Sequence, residues 1–237
     1  YLLTHKLHIY YVKITLLKKG RVLMKNKKMV LFSIIGLILL FIGAGYIYKK
    51  SESEKLAVIA KEKSMLFKRD YSFTIGPDDA KVQLVEFFDP ACETCAQFHP
   101  YVKEIMKEHE GKIQLVMRYA PFHNGSDKVV AMLEATRKQG QFMKTLELTF
   151  GVQKYWASHG TPNLNALWRF LPSTGLDMNK LVEDMKNPEI AKIIAQDLAD
   201  GKVLGATKTP SYYVNGKALQ QFGLRQLKEL INQELSK

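Results

Sequence analysis

The chain contains two cysteines, and they stand three residues apart as Cys92-Glu93-Thr94-Cys95. Sulfur in this spacing can do three kinds of chemistry. It can cycle between dithiol and disulfide, because positions i and i+3 on a helix face each other closely enough to bond. It can supply half of a soft-metal site, but the sequence has no second C-x-x-C or paired-histidine motif to complete a zinc tetrad. His99, four residues beyond Cys95, is the nearby side chain that could join such a site, although a lone histidine on a helix also serves simply to pack. Finally, the pair can form a structural disulfide, which stabilises little when the closed loop is so short. Placement favours redox. A buried-strand pattern ends at Pro90 and helical periodicity comes next, so Cys92 falls at a helix N-terminus, where free backbone N–H groups and the helix dipole favour a thiolate. Cys92 is then the attacking thiol and Cys95 the resolving one.

The elements that must position this pair alternate between strand and helix. Val82 to Phe88, VQLVEFF, is a nearly continuous apolar run with one acid in it, the pattern of a strand buried on both faces. From Ala91 to about Glu110, Phe98, Val102, Ile105 and Met106 recur on one helical face, and Gly111 is a C-terminal stop. Lys112 to Phe122 reads as a second strand, giving a strand, helix, strand unit that closes right-handed onto a parallel sheet. Residues 126 to about 204 are mostly helical by pattern, with Ser126 or Asp127 as the first N-cap. Breaks are expected at Gly151, Gly160-Thr161-Pro162, Pro172 to Gly175 and Asn187-Pro188. PSYYVNGKAL predicts two short strands about Asn215-Gly216, and a helix over Leu224 to Leu235 closes the chain.

Together, VQLVEFFDPACETCAQFHPYV, KIQLVMRYAPFH, the helical stretch, and TKTPSYYVNGK before a C-terminal helix resemble DsbA-type thiol-disulfide oxidoreductases. The fold so implied is α/β: a thioredoxin-like fold with a helical insertion, over roughly residues 70–237. In that family a proline in cis and the residue before it line the substrate groove beside the cysteines, and Thr209-Pro210 matches that position. The family usually carries an acid under the resolving cysteine, the place of Glu86. A carboxyl in apolar surroundings has a raised pKa and can exchange a proton with a neighbouring thiol; a satisfied buried acid of structural role is the alternative. Strongly oxidising members resemble Cys-Pro-His-Cys. Here Glu93 and Thr94 lack the imidazole, and by charge alone Glu93 is expected to raise the pKa of Cys92 and destabilise the reduced form relative to those members. The resemblance implies protein substrates with cysteines and a membrane redox partner that reoxidises or reduces the pair, and no cofactor.

The chain's 237 residues, 46% hydrophobic and 24% charged, have globular composition and exclude disordered, collagenous and multi-span membrane classes. The net charge of +12 is uneven. Residues 1–28 hold eight Lys or Arg and no acid, leaving 27 basic against 23 acidic residues beyond them. This basic flank precedes Met29 to Tyr48, twenty uncharged residues long enough for a helix to span a bilayer. The charge is therefore a topology signal, and no nucleic-acid partner is expected. The flank bias keeps the N-terminus in the cytoplasm and exports residues 49–237, as a single-pass protein of a bacterial inner membrane with its redox domain facing the periplasm or cell exterior. A cleaved signal peptide is the alternative. Met24 opens MKNKK like the start of an exported protein, so residues 1–23 are expected to be an upstream extension. The domains are then a basic flank over 1–28, an anchor over 29–48, a polar stalk over 49–69 and the thioredoxin-like domain over 70–237, its insertion at about 126–204. Two function classes are open on these residues: an anchored extracytoplasmic thiol-disulfide oxidoreductase, or a non-catalytic binding module such as a tethered chaperone or a copper-binding protein using Cys92, Cys95 and His99.

Overall fold

A computed structural model describes residues 27–157 and 162–237. The basic flank, all but Lys27 and Lys28, and the extension expected over 1–23 lie outside the described residues, as do Gly160 and Thr161 of one expected break.

The chain divides into two compact units, residues 1–60 and 61–237. The described part of the first is one helix, α1 (Lys27–Phe67), whose last residues belong to the second unit. Its segment Met29–Ser51 has a mean hydropathy of 2.6 and is long and apolar enough to cross a membrane. The polar stretch after it continues the same helix, since nothing from Lys49 to Phe67 is Gly or Pro and helix formers predominate.

The second unit is built on a mixed five-stranded sheet. Strands β1 (Phe73–Ile75), β2 (Val82–Phe88), β3 (Ile113–Tyr119), β4 (Ser211–Val214) and β5 (Lys217–Ala218) lie in the order β1-β3-β2-β4-β5. Helix α2 (Glu93–Glu108) connects β2 to β3, which pair in parallel from Val82 opposite Ile113 to Phe88 opposite Tyr119. β4 runs antiparallel to β2 and turns into β5 through Asn215 and Gly216, both at positive φ, as the Asn-Gly pair predicts. The edge strand β1 is too short at three residues to show a periodicity, and sequence reasoning did not anticipate it.

Between β3 and β4 lies the helical insertion: α3 (Ser126–Arg137), α4 (Phe142–Gly151), α5 (Gln153–Trp156), α6 (Leu164–Trp168), a 3-10 turn (Leu171–Thr174), α7 (Met178–Asp184) and α8 (Pro188–Leu204). Asn163, Asp177 and Asn187 cap α6, α7 and α8 with their side-chain oxygens. The first cap differs from expectation. Gly125 at φ 85° precedes α3 without a side-chain cap, and the fully buried Ser126 turns its hydroxyl to Asp89 instead. The last helix, α9 (Leu224–Leu235), ends the domain.

Alternation along β2 explains why it is apolar throughout. Leu84 and Phe88 join a core with Val102 and Ile105 of α2 and Leu227 and Ile231 of α9, while Val85 and Phe87 face a second cluster with Val116, Ala206 and Tyr213. Beside that second cluster the fully buried Arg118 donates to Asp197 and Asp200 of α8 and to the Leu66 carbonyl, and Arg69 and Tyr71 bind the same two carboxylates. Two cations thus face two anions, so the buried charge is compensated.

Candidate active site

The turn from β2 into α2 is built on Asp89, which is wholly buried. Its carbonyl accepts the Cys92 N–H at 3.0 Å. One carboxylate oxygen accepts the Ala91 N–H at 2.8 Å and the Ser126 hydroxyl; the other accepts the His123 N–H at 2.9 Å and lies 2.8 Å from His123 Nδ1. A side chain this well satisfied holds the turn rigidly, and it recruits residues from the loop after β3 and from α3 to do so.

Cys92 is the N-cap of α2, in extended backbone conformation at φ −76° and ψ 117°. It keeps 7% exposure against 0% for Cys95, and both are free thiols. The Cys92 thiol donates to the Thr209 carbonyl at 3.3 Å, which brings the cysteines together with the segment expected to line the groove. The peptide bond between Thr209 and Pro210 is cis, Pro210 is buried and Thr209 half-buried.

The two thiols are driven in opposite directions. A hydrogen bond from Cys95 brings the Cys92 thiol down to about 5, helped by the Thr209 side chain and the N–H groups of Cys95 and Thr94, against the opposing effect of burial. Burial pushes Cys95 well up, reinforced by its hydrogen bond to Cys92 and by the charge of Glu86. Glu93, which sequence reasoning expected to raise Cys92, is exposed at the start of α2, where water screens its charge. The dominant influences on Cys92 are the thiol and amides around it, and Thr94 acts through its backbone.

Glu86 is 1% exposed on β2, directly opposite Tyr212 of β4. The Tyr212 hydroxyl donates to Oε1 at 3.0 Å, while Oε2 has no partner. Burial raises the carboxyl to about 7, with Tyr212 pulling the other way and Cys92 adding to the rise. The acid is therefore poised near neutrality in the electrostatic reach of both cysteines.

His99 lies within the core on α2, its ring 5.2 Å from that of Phe150, with neither ring nitrogen hydrogen-bonded and its pKa lowered by burial. Among the described residues no group of three or more His, Cys, Asp or Glu is placed to hold a metal ion. On α2, half-buried Phe98 stacks on exposed Phe222 at 4.5 Å and faces Tyr212, the partner of Glu86, at 6.2 Å, forming an aromatic patch.

Sequence reasoning missed Asp89, His123, Ser126 and Tyr212. Asp89 and Tyr212 stood close to residues already singled out, three before Cys92 and two after Pro210. Ser126 was assigned to a cap. Nothing local marked His123.

A family model described as Thioredoxin matches residues 68–233. A solved thioredoxin-like oxidoreductase from Silicibacter pomeroyi DSS-3 superposes with a TM-score of 0.63 at 28% identity, over 73% of this chain and 96% of that one. The probable disulfide bond formation protein D of Bacillus anthracis is 28% identical over 222 residues, 90% of this chain and 98% of that protein. The Na+/H+ antiporter NhaA of Herminiimonas arsenicoxydans is 27% identical over 145 residues, which are 61% of this chain and 22% of the antiporter. The chain thus spans about a fifth of the length of the antiporters it matches.

Proposed function

The chain belongs to the thioredoxin family, within its DsbA-type thiol-disulfide oxidoreductases, and from that premise we propose that it exchanges disulfides with cysteine-containing proteins outside the cytoplasm, tethered by α1. The observation that carries this reading is the asymmetry of the pair. Cys92 has the lowered pKa and the residual exposure, and it touches the Thr209 carbonyl; Cys95 is buried behind it with a raised pKa. Cys92 is the sulfur that bonds to substrate, attacking in the reductive direction and attacked in the oxidative one, and Cys95 is the resolving sulfur.

The lowered pKa of Cys92 favours the reduced pair, which supports oxidation of substrates as the net direction. A substrate thiolate attacks Cys92 Sγ of the Cys92–Cys95 disulfide, releasing Cys95 as the leaving sulfur; a second substrate thiolate then attacks the substrate sulfur of the mixed disulfide and releases Cys92 as a stabilised thiolate. Two electrons pass to the pair, one disulfide forms in the substrate and one is lost here. The proton required by the departing Cys95 comes from Glu86, which holds one near neutral pH. Thr209 and Pro210 receive the substrate segment beside the aromatic patch. A membrane partner then reoxidises the dithiol. Met29–Ser51 supplies an anchor, with the redox domain on the far side of the membrane from the basic flank.

The test mixes the full chain, solubilised and oxidised, with a reduced unfolded protein containing cysteines. One substrate disulfide is expected per molecule of chain, with stoichiometric appearance of the Cys92 and Cys95 thiols. Substrate thiols left untouched, or a pair that cannot be oxidised by a glutathione buffer, would refute the reading.

A further inference from the structure

Gln153 opens α5 in the helical insertion, is 7% exposed, and is not adjacent in sequence to any residue of the redox pair. Its Nε2 donates to the Pro90 carbonyl at 2.9 Å and to the Cys92 carbonyl at 3.1 Å. A primary amide nitrogen carries two hydrogens, and these two contacts use both. The helix that carries Gln153 is itself fixed, since Trp156 is buried and its indole N–H donates to the Thr149 carbonyl at 2.8 Å.

The turn before α2 is therefore gripped from two sides. Asp89 takes the N–H groups of Ala91 and Cys92, and Gln153 takes the carbonyls of Pro90 and Cys92. Grip on both edges of a four-residue turn sets the backbone of Cys92, and hence where Sγ lies relative to the Thr94 and Cys95 amides and the Thr209 carbonyl. We propose that Gln153 is a positioning residue for the redox reaction, through which the helical insertion sets the reactivity of Cys92. A thiolate depends on those amides more than a disulfide sulfur does, so loosening the turn costs the reduced form more than the oxidised one.

This inference rests on the oxidoreductase reading. Its test is the glutathione equilibrium of the full chain, together with thiolate absorbance against pH, for wild type, Gln153→Met and Gln153→Asn. Methionine keeps the length and bulk without the donors; asparagine keeps the amide one methylene short. For Gln153→Met the equilibrium constant should shift about tenfold toward the disulfide, about 30 mV in potential, and the Cys92 midpoint should move to higher pH. Gln153→Asn should shift less, in the same direction, and serves if the methionine variant does not fold. Lower melting temperatures with an unchanged equilibrium constant and Cys92 midpoint would overturn the inference and leave Gln153 a purely structural clamp, with the oxidoreductase reading intact. A wild-type protein that does not equilibrate with glutathione would overturn both.

Discussion

Replacing Glu86 by glutamine isolates one ionisation in the core. The folded carboxyl titrates at about 7 against 4.5 in the unfolded chain, chiefly because of burial, and at 1% exposure there is no solvent screening to discount. The displacement corresponds to about 3 kcal/mol. The sign comes from proton counting: between the two pKa values the folded state holds a proton that the unfolded state has lost, so stability falls as pH rises. It is fully present below about 4.5 and lost as pH passes through about 7. Glutamine cannot ionise and still accepts the Tyr212 hydroxyl, but its amide hydrogens replace the unpartnered Oε2, which costs about 1 kcal/mol at every pH. Wild type should therefore be the more stable protein by about 1 kcal/mol at pH 4, and the variant by about 2 kcal/mol at pH 8, with the curves crossing between roughly pH 5 and 6. Urea unfolding of both proteins with their thiols kept reduced measures this, since thiol titrations largely cancel in the difference. A difference that does not change from pH 4 to pH 8 would refute the reasoning, because Glu86 would then ionise alike in both states.

Cys95→Ala should accumulate mixed disulfides with substrate proteins through Cys92, seen on non-reducing gels, whereas trapping by Cys92→Ala would reverse the assignment of the two sulfurs. Tyr212→Phe removes the donor that holds Glu86 down, so the fall in the variant's stability, which still begins near pH 4.5, should extend to higher pH than in wild type, with a loss of about 1 kcal/mol measured by urea unfolding at pH 5. Arg118→Met leaves Asp197 and Asp200 facing each other with Arg69 as the remaining cation, and should cost about 3–5 kcal/mol in thermal or urea unfolding. A loss under 1 kcal/mol there would mean that water or proton uptake replaces the guanidinium.

Much of the fold was legible because it is written locally. The apolar run of β2, the helical spacing of Phe98, Val102 and Ile105, and Asn215-Gly216 between two β-rich segments each carry their conformation within a few residues. The C-x-x-C spacing with its placement after a strand, and Glu86 and Thr209-Pro210 through the resemblance to DsbA-type proteins, marked the site. Charge and hydropathy likewise marked Met29 to Tyr48 as able to span a membrane, and these residues lie within the apolar helical segment Met29–Ser51. The local signals that failed did so for identifiable reasons. Strand β1 is too short to show a period, and Ser126 has the chemistry of a cap but is drawn away by Asp89.

The sequence by itself determined most of the strands and helices and which sulfur pair is the candidate for redox chemistry, because dihedral preference, apolar periodicity and sulfur chemistry are properties of short stretches. Only the tertiary structure decided how those atoms are tuned. Tyr212 meets Glu86 across 126 residues, Gln153 reaches Pro90 across 63, and His123 reaches Asp89 across 34. Glu93, the neighbour in sequence, faces water instead. A field is set by distance and burial in space, and chain separation carries neither, so the burial of Cys95 and Glu86 and the approach of Thr209 to Cys92 became visible only in the folded chain.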